Sequence, residues 1–352
     1  MKTFYHFIMD PRRGGPHQFV KNFTNVTNNK IRNYTVINGR KNSKLNLYFF
    51  RNLRRYLYFF EVIINFLKIF FFFKKIKQNQ NLVINIHSFY NVAPILFSIF
   101  FNGKINWFIH EEISKKKQFF LKAIPKKINL IFLYNFKSIG IKKRENYFII
   151  KPSIDTNYWK NNSKKFTKNS VISVGNLNPT KNHLLLLKAI FKIKIPLKLK
   201  IAGGKLNSHR EYYKKIIKLR SEYKKTKFKE IKLLGKISNN LIKKNLLSSE
   251  YFVMTSHSEG TPFALLEAMS CEKICIIPKI NTLKNLLKHN HSGFYFNKNN
   301  VISLKSILLK VISLNNKEKN LIGRNCRKII LKEYSKDVFK KKIQRYFIKD
   351  YE

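Results

Sequence analysis

Two glutamates separated by seven residues, Glu259 and Glu267, mark the stretch SHSEGTPFALLEAMS at 256–270 as the place where this chain could do chemistry. Acids are scarce here, 18 Asp and Glu against 71 Lys and Arg, so a pair beside one turn calls for a reason. The apolar run YFVMTS (251–256) reads as a buried strand leading into the turn. Thr261 and Pro262 have the form of a helix start: a hydroxyl cap, then a proline at the first helical position, where its missing N–H costs nothing. Phe263 and Ala264 would then offer free backbone N–H groups at the helix mouth, where orphan donors and partial positive charge attract a diphosphate. Glu259 and Gly260 lie in the loop just before that mouth. Helical side chains lean toward the N-terminus, so Glu267, in the second turn, would tilt its carboxylate toward the same pocket and accept from the vicinal hydroxyls of a ribose. The plainer alternative is that both acids cap and solvate a surface helix. Spacing alone does not separate the two.

The elements around this turn give it a setting. Short β-branched or aromatic runs alternate with helical patterns, a rhythm of repeated βα units and parallel sheets. In the first half the strand candidates are 3–9, 34–38, 81–88, 105–110, 129–135 and 147–153. In the second half they are 171–175, 197–204, 231–237, 251–256, 273–277 and 293–297. Helices are expected over 182–190 and 209–223, and from about 316 to the end. A polar, strand-poor stretch at 155–170 separates two α/β domains of similar size. Such a pair holds a ligand most naturally in the cleft between domains, at the carboxyl ends of the strands.

With these elements in order, residues 150–330 resemble glycosyltransferase family 4, and more broadly the retaining GT-B enzymes. Glu259 and Glu267 match the family's E-x7-E signature in EGTPFALLE. SVGNLNPTKNHLLLLKAI (173–190) resembles its strand–Gly–loop–Lys–helix segment, and LKIAGG, IKLLGKI and HSGFYF continue the likeness. The resemblance implies a GT-B fold, two Rossmann-like parallel-sheet domains facing each other across a cleft. Residues 1–160 would form the acceptor-side domain, 161–334 the nucleotide-sugar-binding domain, and 335–352 a C-terminal helix packing back toward the first domain. It implies that Glu267 binds the ribose and that Glu259, as a catalytic residue, meets the hydroxyls of the transferred sugar. Gly260, Phe263 and Ala264 would line the donor phosphates, and Lys181 would neutralise the diphosphate as it leaves, since growing charge on a leaving group must be stabilised. One departure stands out: the family places Arg directly after Gly175, and this chain has Asn176.

The first half matches less. RRGGPHQFV (12–20) resembles the family's glycine-rich turn after the first strand, where Gly14 and Gly15 permit close backbone approach to phosphate or sugar. His110 resembles the family histidine that faces the donor sugar and phosphate, a second catalytic candidate. Glu111 and Glu112 follow it and are expected to raise its pKa. His87, at another strand end, is a weaker candidate facing the acceptor cleft.

The expected reaction is retaining, metal-independent transfer of a sugar from a UDP- or GDP-sugar to a glycan or lipid-linked acceptor, as in cell-surface polysaccharide or lipopolysaccharide synthesis. No cofactor is expected; there is no Asp-x-Asp pair for a divalent ion, and Asp10 and Asp155 stand alone. The rival classes are an inactive GT-B binding protein, a GT-B phosphorylase or epimerase, and a basic nucleic-acid binder. The net charge of +53 favours the last. Only 13 of the 71 basic residues are Arg, however, whereas recognition of phosphates and guanine edges favours Arg; no specific nucleic acid is expected. The same charge would draw the chain to an anionic membrane surface. The segment 57–73 is apolar and flanked by basic residues, but Glu61, Asn65 and Lys68 interrupt it below the roughly 20 residues needed to span a bilayer. It reads as an interfacial or a buried helix. Residues 3–9 read as a first strand, not a secretory signal. Three cysteines form no ligand set. The expected location is cytoplasmic, peripheral at the inner face of the membrane.

Overall fold

The strand-forming runs of this chain are apolar on both sides, which requires cover on both faces and favours parallel sheets between helices. A computed structural model describes residues 2–8, 15–27, 31–37, 82–89, 103–113, 115–136, 140–162, 166–224 and 229–348, with isolated positions between 63 and 101. The chain divides into two compact units, Met1–Pro152 with Phe339–Glu352, and Ser153–Val338. Most of the segment 57–73 lies outside the described residues. Among those described, no helix is long and apolar enough to cross a membrane.

The first unit is a six-stranded parallel sheet in the order β2-β1-β3-β4-β5-β6. The strands are β1 (Lys2–Ile8), β2 (Ile31–Ile37), β3 (Leu82–His87), β4 (Lys104–Ile109), β5 (Ile128–Phe132) and β6 (Tyr147–Ile149), with helices α1 (Gly15–Thr27) and α2 (Lys115–Lys122). One face packs Phe7, Ile84, Ile86 and Trp107 against Leu121 of α2. The other packs Phe4, Val83 and Phe108 against Phe19 and Phe23 of α1. The strand expected at 34–38 begins at Ile31, because β2 is an edge strand whose Arg32 and Asn33 conceal the apolar signal.

The second unit is another parallel sheet, in the order β12-β11-β10-β7-β8-β9. In chain order its elements are β7 (Ser170–Val174), α3 (His183–Phe191), β8 (Leu197–Ala202), α4 (Arg210–Lys224), β9 (Lys229–Gly235), α5 (Asn239–Leu247) and β10 (Tyr251–Val253). Then come α6 (Phe263–Ser270), β11 (Ile274–Pro278), β12 (Phe294–Phe296), α7 (Val301–Ser313), α8 (Asn316–Glu333) and α9 (Lys336–Ile343). Val171, Leu199 and Val253 face α3, α4 and α7; Ile172, Phe252 and Cys275 face α5, α6 and α8. A capping box opens α8: Asn315 Oδ1 accepts from Glu318 N at 3.0 Å, and Glu318 Oε2 accepts from Asn315 N at 2.9 Å.

The units divide at 152/153 because the next residues are tied into the second unit. Ile154 N donates to Tyr334 O at 2.8 Å, and Ile154 and Trp159 join the second core. Arg327 of α8 donates to Thr156 O, Trp159 O and Ser270 O. The chain returns to the first unit within α9, where Phe339 and Ile343, with Phe347 in the π-helical turn Gln344–Ile348 that follows, pack on Phe4, Phe23 and Phe108.

Candidate active site

In the second sheet β7 is flanked by β8 on one side and β10 on the other. Connections leave the sheet in opposite directions at this switch point, and the crevice opened there is where doubly wound sheets bind ligands. Lys181 follows β7 and Glu259 follows β10, so topology alone brings these distant residues to one crevice.

The local chain fixes Lys181 tightly. Beyond β7, Gly175 and Gly203 meet back to back; a Cβ on Gly203 would lie 1.8 Å from Gly175 O. The Lys181 stem crosses Gly175, where a side chain would come within 3.1 Å of its Cγ and Cδ. Pro179–Lys181 forms a single 3-10 turn capped by Asn178, whose Oδ1 accepts from Lys181 N at 2.9 Å. Asn182 follows in the left-handed region at φ 49°, which asparagine tolerates better than most residues. Thr255 Oγ1 reaches Lys181 O at 3.0 Å and Asn182 O at 2.9 Å. Buried His183 supports the Gly175 peptide: its Nε2 lies 3.0 Å from Gly175 O and its Nδ1 3.3 Å from Ser173 Oγ. Since a carbonyl only accepts, the proton sits on Nε2. Burial lowers the His183 pKa to about 4, so the ring is neutral.

Lys181 Nζ meets Glu259 Oε1 at 2.6 Å, with Glu259 6% exposed and Lys181 28% exposed. The loop carrying Glu259 is pinned by His257 N to Thr180 O at 2.8 Å and by Thr282 Oγ1 to Glu259 O at 2.7 Å. The ammonium therefore keeps an accessible side next to a buried carboxylate, a geometry suited to bridging that acid and an anionic ligand. Ser256 Oγ and Thr261 Oγ1, buried on either side of Glu259 in the sequence, have no hydrogen-bond partner among the described residues. Gly260 is half-buried beside them.

The start of α6 differs from expectation. Pro262 occupies the cap position, at φ −83° and ψ 62°, and Thr261 makes no cap bond. Phe263 N is not free; it donates to Thr261 O at 2.9 Å. The tight turn uses that donor because proline at the cap has no side-chain oxygen to offer. Leu265 N and Leu266 N both turn back to Pro262 O. Ala264 N is left without an acceptor among the described residues.

Glu267 lies one and a quarter turns into α6, half-buried. Burial raises its pKa to about 8. No side chain or backbone group donates to its carboxyl among the described residues, and it lies close enough to Tyr158 and Cys271 to help keep both of them protonated. It is an acceptor-rich group with no protein donor, the condition in which a ligand diol can supply the hydrogen bonds.

The first sheet has its own switch point, between β1 and β3. Gly15 is the first residue of α1, and Gly14 lies outside the described residues. His110 directly follows β4 and is buried. Its pKa is not raised by the adjacent acids; burial lowers it to about 3. Glu111 instead accepts from Phe89 N at 2.9 Å and from Ser88 Oγ. His87 does not face a cleft: it is fully buried between His6 and His110, at 3.1 and 3.0 Å. Among the described residues no group of three or more His, Cys, Asp or Glu is placed to hold a metal ion.

Asn178, His183, Thr255 and Thr282 had no part in the sequence reading. Asn178 was the legible one, as an Asn-Pro pair opening a turn; the others act through contacts between strands.

Residues 155–329 match the family described as glycosyl transferases group 1. The second unit belongs to that family. Over 107 residues the chain is 35% identical to an Escherichia coli UDP-Gal:alpha-D-GlcNAc-diphosphoundecaprenol alpha-1,3-galactosyltransferase, covering 30% of this chain and 27% of that one. It is 30% identical over 187 residues to the capsular polysaccharide biosynthesis glycosyltransferase CapH of Staphylococcus aureus, covering 50% of each. The chain thus spans half or less of the length of the curated relatives it matches. The fold extends over the whole chain. Sucrose-phosphate synthase from Thermosynechococcus elongatus superposes with a TM-score of 0.79 at 12% identity, covering 100% of this chain and 99% of that one. Anabaena Alr3699/HepE in complex with UDP and glucose gives 0.74 at 14% identity, covering 98% and 99%. The whole chain therefore has the GT-B fold of these structures.

Proposed function

We propose that this group 1 member transfers a sugar from a UDP-sugar to a glycan or lipid-linked acceptor in cell-surface polysaccharide synthesis. The observation that carries the reading is the Lys181–Glu259 pair at the β7/β10 switch point, 2.6 Å apart with the ammonium partly open. Lys181 and Ala264 N hold the diphosphate. Glu267 takes the ribose hydroxyls and Glu259 a hydroxyl of the transferred sugar. The C1–O bond to the diphosphate breaks as the acceptor oxygen bonds to C1 on the same side, and the leaving phosphate oxygen receives the acceptor proton. Charge gathers on the diphosphate as the bond breaks, so stabilisation by Lys181 is greatest in the transition state. No step requires a metal or a cofactor.

Relatives named for UDP-Gal and for undecaprenol-linked acceptors support the choice of UDP and of a lipid-linked glycan; GDP is the second donor to try. With a lipid-linked acceptor and a strongly basic chain, the expected site of action is the cytoplasmic, anionic face of a membrane. A thermal-shift screen with UDP, GDP and their sugars, followed by transfer to a diphospho-lipid glycan, tests the reading. Stabilisation by one nucleoside diphosphate and its sugar supports it. A flat response to all of them removes it.

A further inference from the structure

The Lys181–Glu259 pair is formally neutral, its two charges meeting at 2.6 Å. A diphosphate carries negative charge on each phosphoryl group. Desolvated against a neutral pair and one backbone N–H, that charge is left uncompensated. A further cation is needed at this end of the second sheet, and the backbone there shows where one stands.

Beyond their last paired residues β7, β8 and β9 stay stitched together. Gly175 N donates to Ala202 O at 2.8 Å, Leu177 N to Gly204 O at 3.0 Å, and Gly203 N to Gly235 O at 2.8 Å. Each strand runs out into glycine: Gly175 after β7, Gly203 and Gly204 after β8, and Gly235 at the end of β9. Gly235 lies in the left-handed region at φ 66°, and a Cβ on it would meet nothing within 4 Å among the described residues. The three strand ends thus form a floor of bare backbone that a ligand can approach closely. Lys181 crosses one end of this floor, over Gly175.

Lys236 stands at the other end. It directly follows β9, and a Cβ on Gly204 would lie 3.5 Å from Lys236 Cβ and 3.6 Å from Asn176 Oδ1. The Lys236 stem therefore begins beside the floor, near the Asn176 amide. Lys236 is exposed, and its ammonium makes no hydrogen bond or ion pair among the described residues. Lys205 differs, because its Nζ sits over the Tyr213 ring of α4, 4.9 Å from the centroid. Asn176 adds no charge, and its Oδ1 accepts from Gly204 N at 3.3 Å. Two inter-strand spacings, about 10 Å, separate β7 from β9. Flexible four-carbon stems reaching in from Lys181 and Lys236 can close that gap on a diphosphate.

We propose that Lys236 is the second cation of the diphosphate site, closing on the phosphates across the glycine floor from Lys181. Lys181 is held in place by Glu259, whereas Lys236 is a free arm that the ligand orders. That the diphosphate belongs to a nucleotide-sugar rests on the function proposed above; the pairing of these two lysines on a diphosphate does not.

Calorimetric titration of the full chain with UDP and with uridine tests this on Lys236→Met, Lys236→Arg and Lys205→Met, the last a control for the field of a strongly basic chain. Lys236→Met should bind UDP about fivefold more weakly, the size of one solvent-exposed charge contact, with its uridine affinity unchanged. Lys236→Arg should stay close to the wild type, and Lys205→Met should lose less than about twofold. In Asn176→Arg/Lys236→Met the new guanidinium stands beside the same floor and should recover the loss. Unchanged UDP affinity in Lys236→Met, or a parallel loss for uridine, overturns the proposal. An equal loss in Lys205→Met also overturns it, because it reports only the overall field of the chain. If the wild type binds neither UDP nor GDP, the function proposed above fails, and inorganic pyrophosphate, which needs only the two lysines, decides the role of Lys236 by itself. A fall of about fivefold in pyrophosphate affinity in Lys236→Met upholds that role; no binding, or equal binding by wild type and variant, overturns it.

Discussion

Glu267 gives the clearest quantitative expectation. Its carboxyl, ordinarily near 4.5, is raised to about 8 by burial without a protein donor. The folded chain thus holds this proton more tightly than the unfolded chain does. Below pH 4.5 both states are protonated and the site costs nothing. Between pH 4.5 and about 8 the unfolded state ionises while the folded state does not, so stability falls as pH rises, and above that window the loss is complete. Each pH unit in the window corresponds to roughly 1.4 kcal/mol. From pH 5 to pH 7 the loss is therefore about 2.7 kcal/mol, and partial solvation of this half-buried side chain makes that an upper value. Glu267→Gln keeps the shape and removes the titration. Melting curves of wild type and variant at pH 5, 6, 7 and 8 should diverge, the variant gaining roughly 5–10 °C on the wild type between pH 5 and 7. A ligand diol that hydrogen-bonds the carboxylate favours its ionised form. Saturating UDP should therefore reduce the divergence, and wild-type UDP affinity should rise with pH over the same window. Parallel melting profiles for the two proteins across all four pH values would refute the desolvated carboxyl and its role as an unpartnered acceptor.

Two further perturbations test the frame that holds the site. Gly203→Ala puts a methyl 1.8 Å from Gly175 O, backbone against backbone; with no flexible side chain to yield, a loss of about 3 kcal/mol or more should appear in urea titrations, with weaker UDP binding in whatever remains folded. Lys319 Nζ meets Glu250 Oε1 at 2.8 Å in the second unit, with side chains 9% and 3% exposed, and the other Glu250 oxygen accepts from Asn169 N at 2.7 Å just before β7. Lys319→Met should cost about 3–5 kcal/mol by stranding a buried carboxylate, with Lys319→Met/Glu250→Gln recovering much of it; a neutral single variant would show that the pair is solvated.

The second unit was legible in sequence because its signals are local. Val171–Val174, Ile274–Ile277 and their helices alternate within a few residues of Gly, Pro and Asn turns, and the observed strand ends fall within three residues of those expected. The turn holding Glu259 was legible for the same reason, but its helix start was not. Threonine before proline reads as a cap by propensity, yet the Pro262 conformation gives the cap to proline and directs the Phe263 N–H to Thr261 O. The Lys181–Glu259 contact joins residues 78 apart; family resemblance assigned both to the donor site, but nothing in the sequence paired them. The hydrogen-bonded row of Asn33, His6, His87 and His110 was invisible, because it exists only once four strands take register. In the sequence His6 is one polar residue within the apolar run 3–9, and Asn33 lies just outside the run 34–38. The acids after His110 were misread because proximity in sequence was taken for proximity in space: Glu111 turns to Ser88 and Phe89.

The central claim is that Lys181, held over Gly175 and against Glu259, receives the diphosphate of a nucleotide-sugar. Calorimetric titration of UDP and of uridine into the wild type and Lys181→Ala tests it most directly. Wild type should prefer UDP strongly over uridine, and the variant should lose at least about tenfold in UDP affinity with its uridine affinity unchanged, as removal of one charge-assisted contact requires. Equal UDP affinity in the two proteins, or a wild type that does not distinguish UDP from uridine, would contradict it.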